Sequence, residues 1–271
     1  MSRVVLITGA SSGIGKSMAH FLRDKGLTVY GTSRKAQNGE IIEGVQFIQM
    51  DVTDSNSVKQ GIDFILSQTS RIDILVNNAG IGMVGSVEDS MPEEMKMQFE
   101  TNYYGPLRTI QAVLPIMREQ GEGYIINISS LASLFGLPYR AVYCAAKSAL
   151  NSLTETLTME VKQFGVKVVV LCPGDYKTGI KSSRIHAAKA ESSVYAQEFK
   201  KVLDIVNEEV DESGDPIEVA KSLWKVINKK NPKPYYIAAS PFQKFVVHLR
   251  YWLPTKAFQW LMMRNYKMLG D

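Results

Sequence analysis

Cysteine is nearly absent from this 271-residue chain: Cys144 and Cys172 are the only two, too few for a disulfide framework. Histidine is equally sparse, and His20, His186 and His248 stand in isolation with no Cys or carboxylate at metal-ligand spacing, so no metal is implied. No apolar run reaches the ~18 residues that a bilayer-spanning helix needs. The opening "MSRVVLITG" enters an apolar strand at once, without a charged and apolar leader, and with the low cysteine count it predicts an intracellular, cytoplasmic protein. Charge of one sign is also lacking. Thirty-one Lys and Arg face 27 Asp and Glu, a net +4 that gives no reason to expect a nucleic-acid partner. Internal repeats and low-complexity segments are missing too.

What is present is a 45% hydrophobic chain, long enough to bury a sizeable core as one domain, with strand and helix patterns in alternation. "RVVLITG" is a β-branched run, followed by apolar residues at helical spacing from Ile14 to Leu22 and a stop at Gly26. "LTVYGTS", "VQFIQMD", "IDILVNN", "YIINIS", "VKVVVLC" and "PYYIAA" are further strands, several apolar on both faces as strands between two helical layers must be. Helices are expected near 58–66, from a Ser90/Pro92/Glu93 cap to about 119 with a bend at Gly105-Pro106, at 140–164 with Gly165 as stop, at 194–210, and after an Asp215/Pro216/Glu218 cap. This order predicts an α/β, single-domain, Rossmann-like doubly wound parallel sheet over 1–239, with a C-terminal helical extension at 240–271.

Two stretches carry chemistry. "TGASSGIG" lies where the first strand turns into the first helix: Gly9, Gly13 and Gly15 permit a tight turn, and the helix N-terminus offers free N–H groups to a pyrophosphate. "YCAAK" sets Tyr143 and Lys147 four residues apart, on one face of a helix, a spacing also found by chance beside solvated cations.

With "NNAG" at 77–80, Asn102, Ser130 and "PGDYKT" at 173–178, these motifs stand in the order seen in the short-chain dehydrogenase/reductase family, which the chain resembles over roughly residues 3 to 239. The segment "LPIMREQGEGYIINISSLASLFGLPYRAVYCAAKSAL" further resembles the 17β-hydroxysteroid and retinol dehydrogenase branch. The resemblance implies a nicotinamide cofactor on Gly9, Ser11, Ser12, Gly13, Ile14, Gly15, Asp51, Val52, Asn78, Ala79, Gly80, Pro173, Gly174 and Thr178, besides Tyr143 and Lys147. It implies Tyr143 as proton donor, Lys147 as the cation that favours its phenolate, Ser130 as the donor to the substrate oxygen (with Ser129 as runner-up), and Asn102 as a residue that orders water near Lys147. Family members choosing NAD end the second strand in an acid. This chain instead reads "YGTSRK", where Ser33 leaves room for a 2′-phosphate and Arg34 can grip it, so NADP(H) is expected. A solvated Arg34 and an ordinary capping Asp51 are the plainer alternatives.

The expected reaction is reduction of a ketone, or oxidation of the secondary alcohol, in a hydrophobic lipid-like or steroid-like substrate. A 3-oxoacyl thioester reductase and a non-catalytic NADP(H)-sensing protein are the alternatives. The resemblance also implies pairing into a homodimer or homotetramer through the two long helices. Segment 175–214 occupies the family's substrate-loop position. In the tail, Phe242, Phe245, Val246, Leu249 and Leu253 share a helical face, Pro254 interrupts it, and Phe258, Leu261, Met262 and Leu269 resume it. Five bases there oppose only Asp271, so the tail suits either a peripheral membrane contact or packing that walls an apolar pocket.

Overall fold

In β1 (Val4–Ile7), alternate side chains point to opposite faces of the sheet, and all four are buried, so each face needs its own helical cover. The computed structural model, which describes residues 2–179 and 184–269, provides both. Val5 and Ile7 pack with Met18, Ala19 and Leu22 of α1 (Gly13–Asp24) and with Val219, Ala220 and Leu223 of a late helix, Ile217–Ile227. Val4 and Leu6 pack on the other side, with Val58, Ile62 and Ile65 of α2 (Ser55–Thr69), Ile110, Val113 and Met117 of α4 (Gly105–Gln120), and Leu157 of α5 (Ala141–Glu160).

The remaining strands are β2 (Thr28–Ser33), β3 (Ile41–Ile42), β4 (Val45–Gln49), β5 (Ile74–Asn77), β6 (Met83–Val84), β7 (Gly123–Ile128), β8 (Val166–Pro173), β9 (Ile185–His186) and β10 (Tyr235–Ala238). The large sheet runs β10-β8-β7-β5-β1-β2-β4-β3, parallel throughout except for the β3–β4 pair. Chain order reverses between β1 and β5. That switch point opens a crevice at their carboxyl ends, where open α/β sheets bind ligands. The expected doubly wound sheet is therefore observed.

Three short elements differ from the sequence expectation. β3 pairs at the sheet edge, and β6 pairs with β9 as a separate two-stranded sheet, packing Ile185, Ala187 and Ala190 with Met83 and Val84. Helix α3 (Pro92–Phe99) is not capped by Ser90, whose hydroxyl instead donates to the Ser86 carbonyl. The Glu94 carboxylate closes the cap by accepting from the Met91 N–H at 2.8 Å. The expected bend at Gly105-Pro106 is a π turn over Glu100–Tyr104, closed by the Gly105 N–H donating to the Glu100 carbonyl, and Asn102 rides on it. Gly165 stops the α5 region in the left-handed conformation, as its position suggested. Residues 180–183 of the 175–214 segment and Asp271 lie outside the described residues.

Beyond 184–190 come α6 (Ala196–Asp211), α7 (Ile217–Ile227), α8 (Pro241–Trp252) and α9 (Thr255–Asn265). The last two are the tail. Ser240 caps α8 by accepting from the Gln243 N–H, Val247 packs with Leu131, Val170 and Cys172, and Phe258 meets the Phe135 ring edge-on at 5.2 Å.

Candidate active site

A single cleft of about 1520 Å³ runs from the turn after β1 to the tail helices. All eighteen of the sequence-predicted cofactor positions and all four catalytic ones line it.

Its first half is built from backbone. Gly9 has φ +66°, and a Cβ there would stand 2.8 Å from the Ala79 Cα; one on Gly15 would fall 2.3 Å from the Gly9 carbonyl oxygen. Gly13, also left-handed at φ +53°, would bring a Cβ within 3.3 Å of Thr178. Helix α1 starts with no side-chain cap and no acid in its first turn, so its N-terminal N–H groups and positive dipole end face the cleft. Asn78 serves the turn itself: its Nδ2 donates to the Thr8 and Gly9 carbonyls, both at 3.0 Å, while the Thr8 hydroxyl accepts from the Asn78 and Ala79 N–H groups. At the end of β2 the Ser33 hydroxyl accepts from the Lys35 N–H, and Arg34 and Lys35 are exposed on the cleft wall. Asp51 holds Thr53 through one oxygen, with Val52 buried beside it.

The second half is chemical. Ser130, just past the end of β7, accepts from the Ala132 N–H at 3.1 Å and stands near enough to the Tyr143 phenol to favour its ionised form. Burial pushes Tyr143 above its ordinary value, with Ser130 and, more weakly, Arg140 pulling it back. Lys147 is 5% exposed and donates from Nζ to the Ile128 carbonyl at 2.8 Å; burial pulls its ammonium down to about 8. Asn102 brackets Ile81, accepting from its N–H at 3.0 Å and donating to its carbonyl at 2.8 Å. Gly80 keeps the space between Asn102 and Lys147 open: a Cβ there would lie 2.8 Å from Asn102 Oδ1 and 3.7 Å from Lys147 Nζ. Ser129 is buried and faces the Lys147 carbonyl at 3.5 Å, so it is Ser130 that meets the tyrosine. Burial raises both thiols, Cys172 to about 11, which leaves neither as a thiolate at neutral pH.

The tail closes the far side. Gln243 of α8 donates to Asp175 at 2.7 Å, and its approach requires Gly174, where a Cβ would fall 2.1 Å from the Gln243 amide oxygen. The stripe Phe242, Phe245, Val246 and Leu249 faces the cleft rather than the core, and the core contact of α8 is the unexpected Val247. Phe258, Leu261 and Met262 of α9 continue this wall, with Tyr266 beyond them. Among the charged lining residues that sequence reasoning missed are Arg140, Asp175, Arg184 and Glu209. Glu209 sits in "NEEVDE", which by itself reads as a solvated helix face.

Comparison with known proteins agrees with this geometry. The profile of the short chain dehydrogenase family matches residues 3–189. A 3-ketodihydrosphingosine reductase of Bacteroides thetaiotaomicron is 39% identical over 260 residues, 95% of this chain and 96% of that protein. Among solved structures, a short-chain dehydrogenase from Streptomyces avermitilis superposes over the full length of both chains with a TM-score of 0.84 at 28% identity. ElxO with NADP bound matches 90% of this chain and all of its own, with a TM-score of 0.75 at 28% identity.

Proposed function

The chain belongs to the short-chain dehydrogenase family, and from that premise we propose that it uses NADPH to reduce the ketone of a long-chain, lipid-like substrate to a secondary alcohol, and oxidises the alcohol in reverse. The observation that carries this reading is the placing of Ser130, Tyr143 and Lys147 together in a cleft that is also walled by Phe245, Val246, Phe258 and Leu261. The Bacteroides relative, named for a long-chain keto lipid, supports the same substrate class.

The residues present fit a dinucleotide. The glycine cradle admits a pyrophosphate against the uncapped N-terminus of α1, and Arg34, with Ser33 in place of an acid, suits a 2′-phosphate. Asp51 and Val52 suit the adenine, and Pro173, Gly174 and Thr178 the nicotinamide. When bound, NADPH supplies the hydride. Tyr143 donates its proton to the nascent alkoxide, which its raised pKa permits because the phenol is fully protonated at neutral pH. Ser130 donates to the same oxygen and fixes its position, while Lys147 supplies the charge that eases recovery of the phenol's proton through the space Gly80 keeps open beside Asn102.

Tyr143→Phe tests the chemistry: ketone reduction should fall by about 10²-fold or more with NADPH affinity retained, and reduction at the wild-type rate would remove Tyr143 from the role. For the cofactor, Arg34→Ala should weaken NADPH about tenfold or more while leaving NADH within about twofold, because only the former offers a phosphate to the guanidinium. Equal loss of both, in fluorescence titrations, would place Arg34 at the pyrophosphate or in the fold instead. We further infer pairing through the α4 and α5 faces, where Tyr104, just ahead of α4, and Met159 of α5 are exposed, and peripheral contact with anionic lipid through the tail.

A further inference from the structure

Four charged side chains that line the cleft with Tyr143 have no task in this reaction. Arg140, the residue before α5, donates from Nη2 to the Tyr266 hydroxyl at 2.6 Å and stacks on that ring, yet its Nε is buried without an acceptor. Arg184 donates to Asn207 at 2.9 Å. Asp175 is held by Gln243 through one oxygen, and Glu209 of α6 accepts one long bond, 3.4 Å, from Asn265. All four line the cleft, and both Arg140 and Asp175 stand near enough to Tyr143 to act on its phenol electrostatically.

These groups influence one another through space rather than by hydrogen bonds. Burial and then the charge of Arg140 hold Arg184 below its ordinary range, and burial and then the charge of Asp175 push Glu209 up. The two cations thus oppose each other, as do the two carboxylates, and the pairs are not merged into salt bridges that would neutralise them. Such a set is costly in a partly dry cleft unless a ligand completes it. A ligand that brings only a charge cannot. A phosphate drawn to the arginines would meet two carboxylates, and a bare alkylammonium drawn to the carboxylates would leave the Arg140 Nε unanswered. An amino alcohol offers both a cationic donor and a neutral acceptor.

We propose that Asp175, Glu209 and Arg140 form a head-group subsite for a long-chain amino keto alcohol, with its ammonium on the carbon next to the reacting carbonyl held by the carboxylates and its hydroxyl accepting from Arg140 Nε. The hydrocarbon chain then runs the other way, along Phe245, Val246, Phe258 and Leu261. The assignment rests on the proposed reading only in placing the carbonyl at Tyr143. It adds a reason why a nitrogen-free ketone, including a 3-oxoacyl thioester, is a poorer ligand.

The test is calorimetric, on the full chain saturated with NADP+, using a ten-carbon 2-amino-1,3-diol, its N-acetyl derivative, and a ten-carbon 3-ol 1-phosphate. The amine should bind about tenfold or more tightly than the N-acetyl compound, as expected for loss of a charge-assisted contact, and more tightly than the phosphate. Glu209→Gln should shrink that amine-to-acetyl ratio at least about fivefold. Equal binding of amine and N-acetyl compound, preference for the phosphate, or no binding of any of the three overturns the subsite; the first comparison needs no variant to fold. A Tyr143→Phe protein that still reduces the corresponding ketone would sink the proposed reaction while leaving the amine preference standing, so the two claims fail separately.

Discussion

Lys147 shows what a buried charge does to the chain that carries it. Its ammonium keeps one carbonyl partner, Ile128, and a pKa near 8, against an unfolded value of about 10.5. Between those values the unfolded chain binds more protons at this group than the folded one, so stability rises with pH through that window. Below about 8 the residue imposes its full cost, at most about 3 kcal/mol, and above about 10.5 that cost is gone. Denaturant unfolding of the cofactor-free chain at pH 7 and pH 9.5 should show a gain in the wild type that Lys147→Met lacks; identical pH slopes would mean the ammonium is better solvated than its burial suggests. Tyr143, Ser130, Lys147 and the glycines were legible in the sequence because each sits at a fixed offset from a strand end or helix start. Arg184 and Glu209 were not: their meaning comes from meeting Arg140 and Asp175 across four separate segments, and no spacing records that.

At the scale of elements, legibility followed length. Strands four to eight residues long and helices with a full apolar stripe could be read from periodicity, but β3, β6 and β9 have two residues each and exist through their partners. The π turn at Glu100–Tyr104 likewise leaves no composition signal, though it sets Asn102 against Ile81. The β1–α1 turn is the opposite case, an element whose glycines are dictated by contact. At Gly15 an added methyl must displace the Gly9 carbonyl and the Asn78 amide, 2.3 and 2.4 Å away, and that amide ties the β5 end to the turn. Gly15→Ala should therefore cost about 2–3 kcal/mol and weaken NADPH binding, whereas Gly26→Ala, with open space but φ +81°, should cost about 1 kcal/mol and spare the cofactor. Chemical unfolding with cofactor titration separates the two, and equal losses of stability at both sites would show that backbone conformation, not the crossing of turn and β5, is what Gly15 protects.

For the whole molecule, the tail decides how an apolar substrate arrives. Its two helices are two-faced: Phe245, Val246, Phe258 and Leu261 look into the cleft, while Tyr251, Trp252 and Trp260 are exposed outside its lining. Bases accompany these helices: Arg264 lies over the outer Trp260 ring at 5.5 Å, and Arg250 over the inner Phe258 ring at 5.8 Å. No helix among the described residues is long and apolar enough to cross a bilayer, so any lipid contact through these helices lies in the interface plane. There the rings would sit at headgroup depth and each nearby base would add about 1 kcal/mol on an anionic surface, an attraction that salt screens within about a Debye length. The full chain should therefore sediment with phosphatidylserine vesicles at low salt and be released at high salt. Exchanging Trp252 and Trp260 for Glu should abolish sedimentation without changing NADPH affinity, because neither ring lines the cleft. A wild-type chain that stays in the supernatant at low salt would leave the outer aromatics to another surface, and the inner stripe would keep its place as the wall of the pocket.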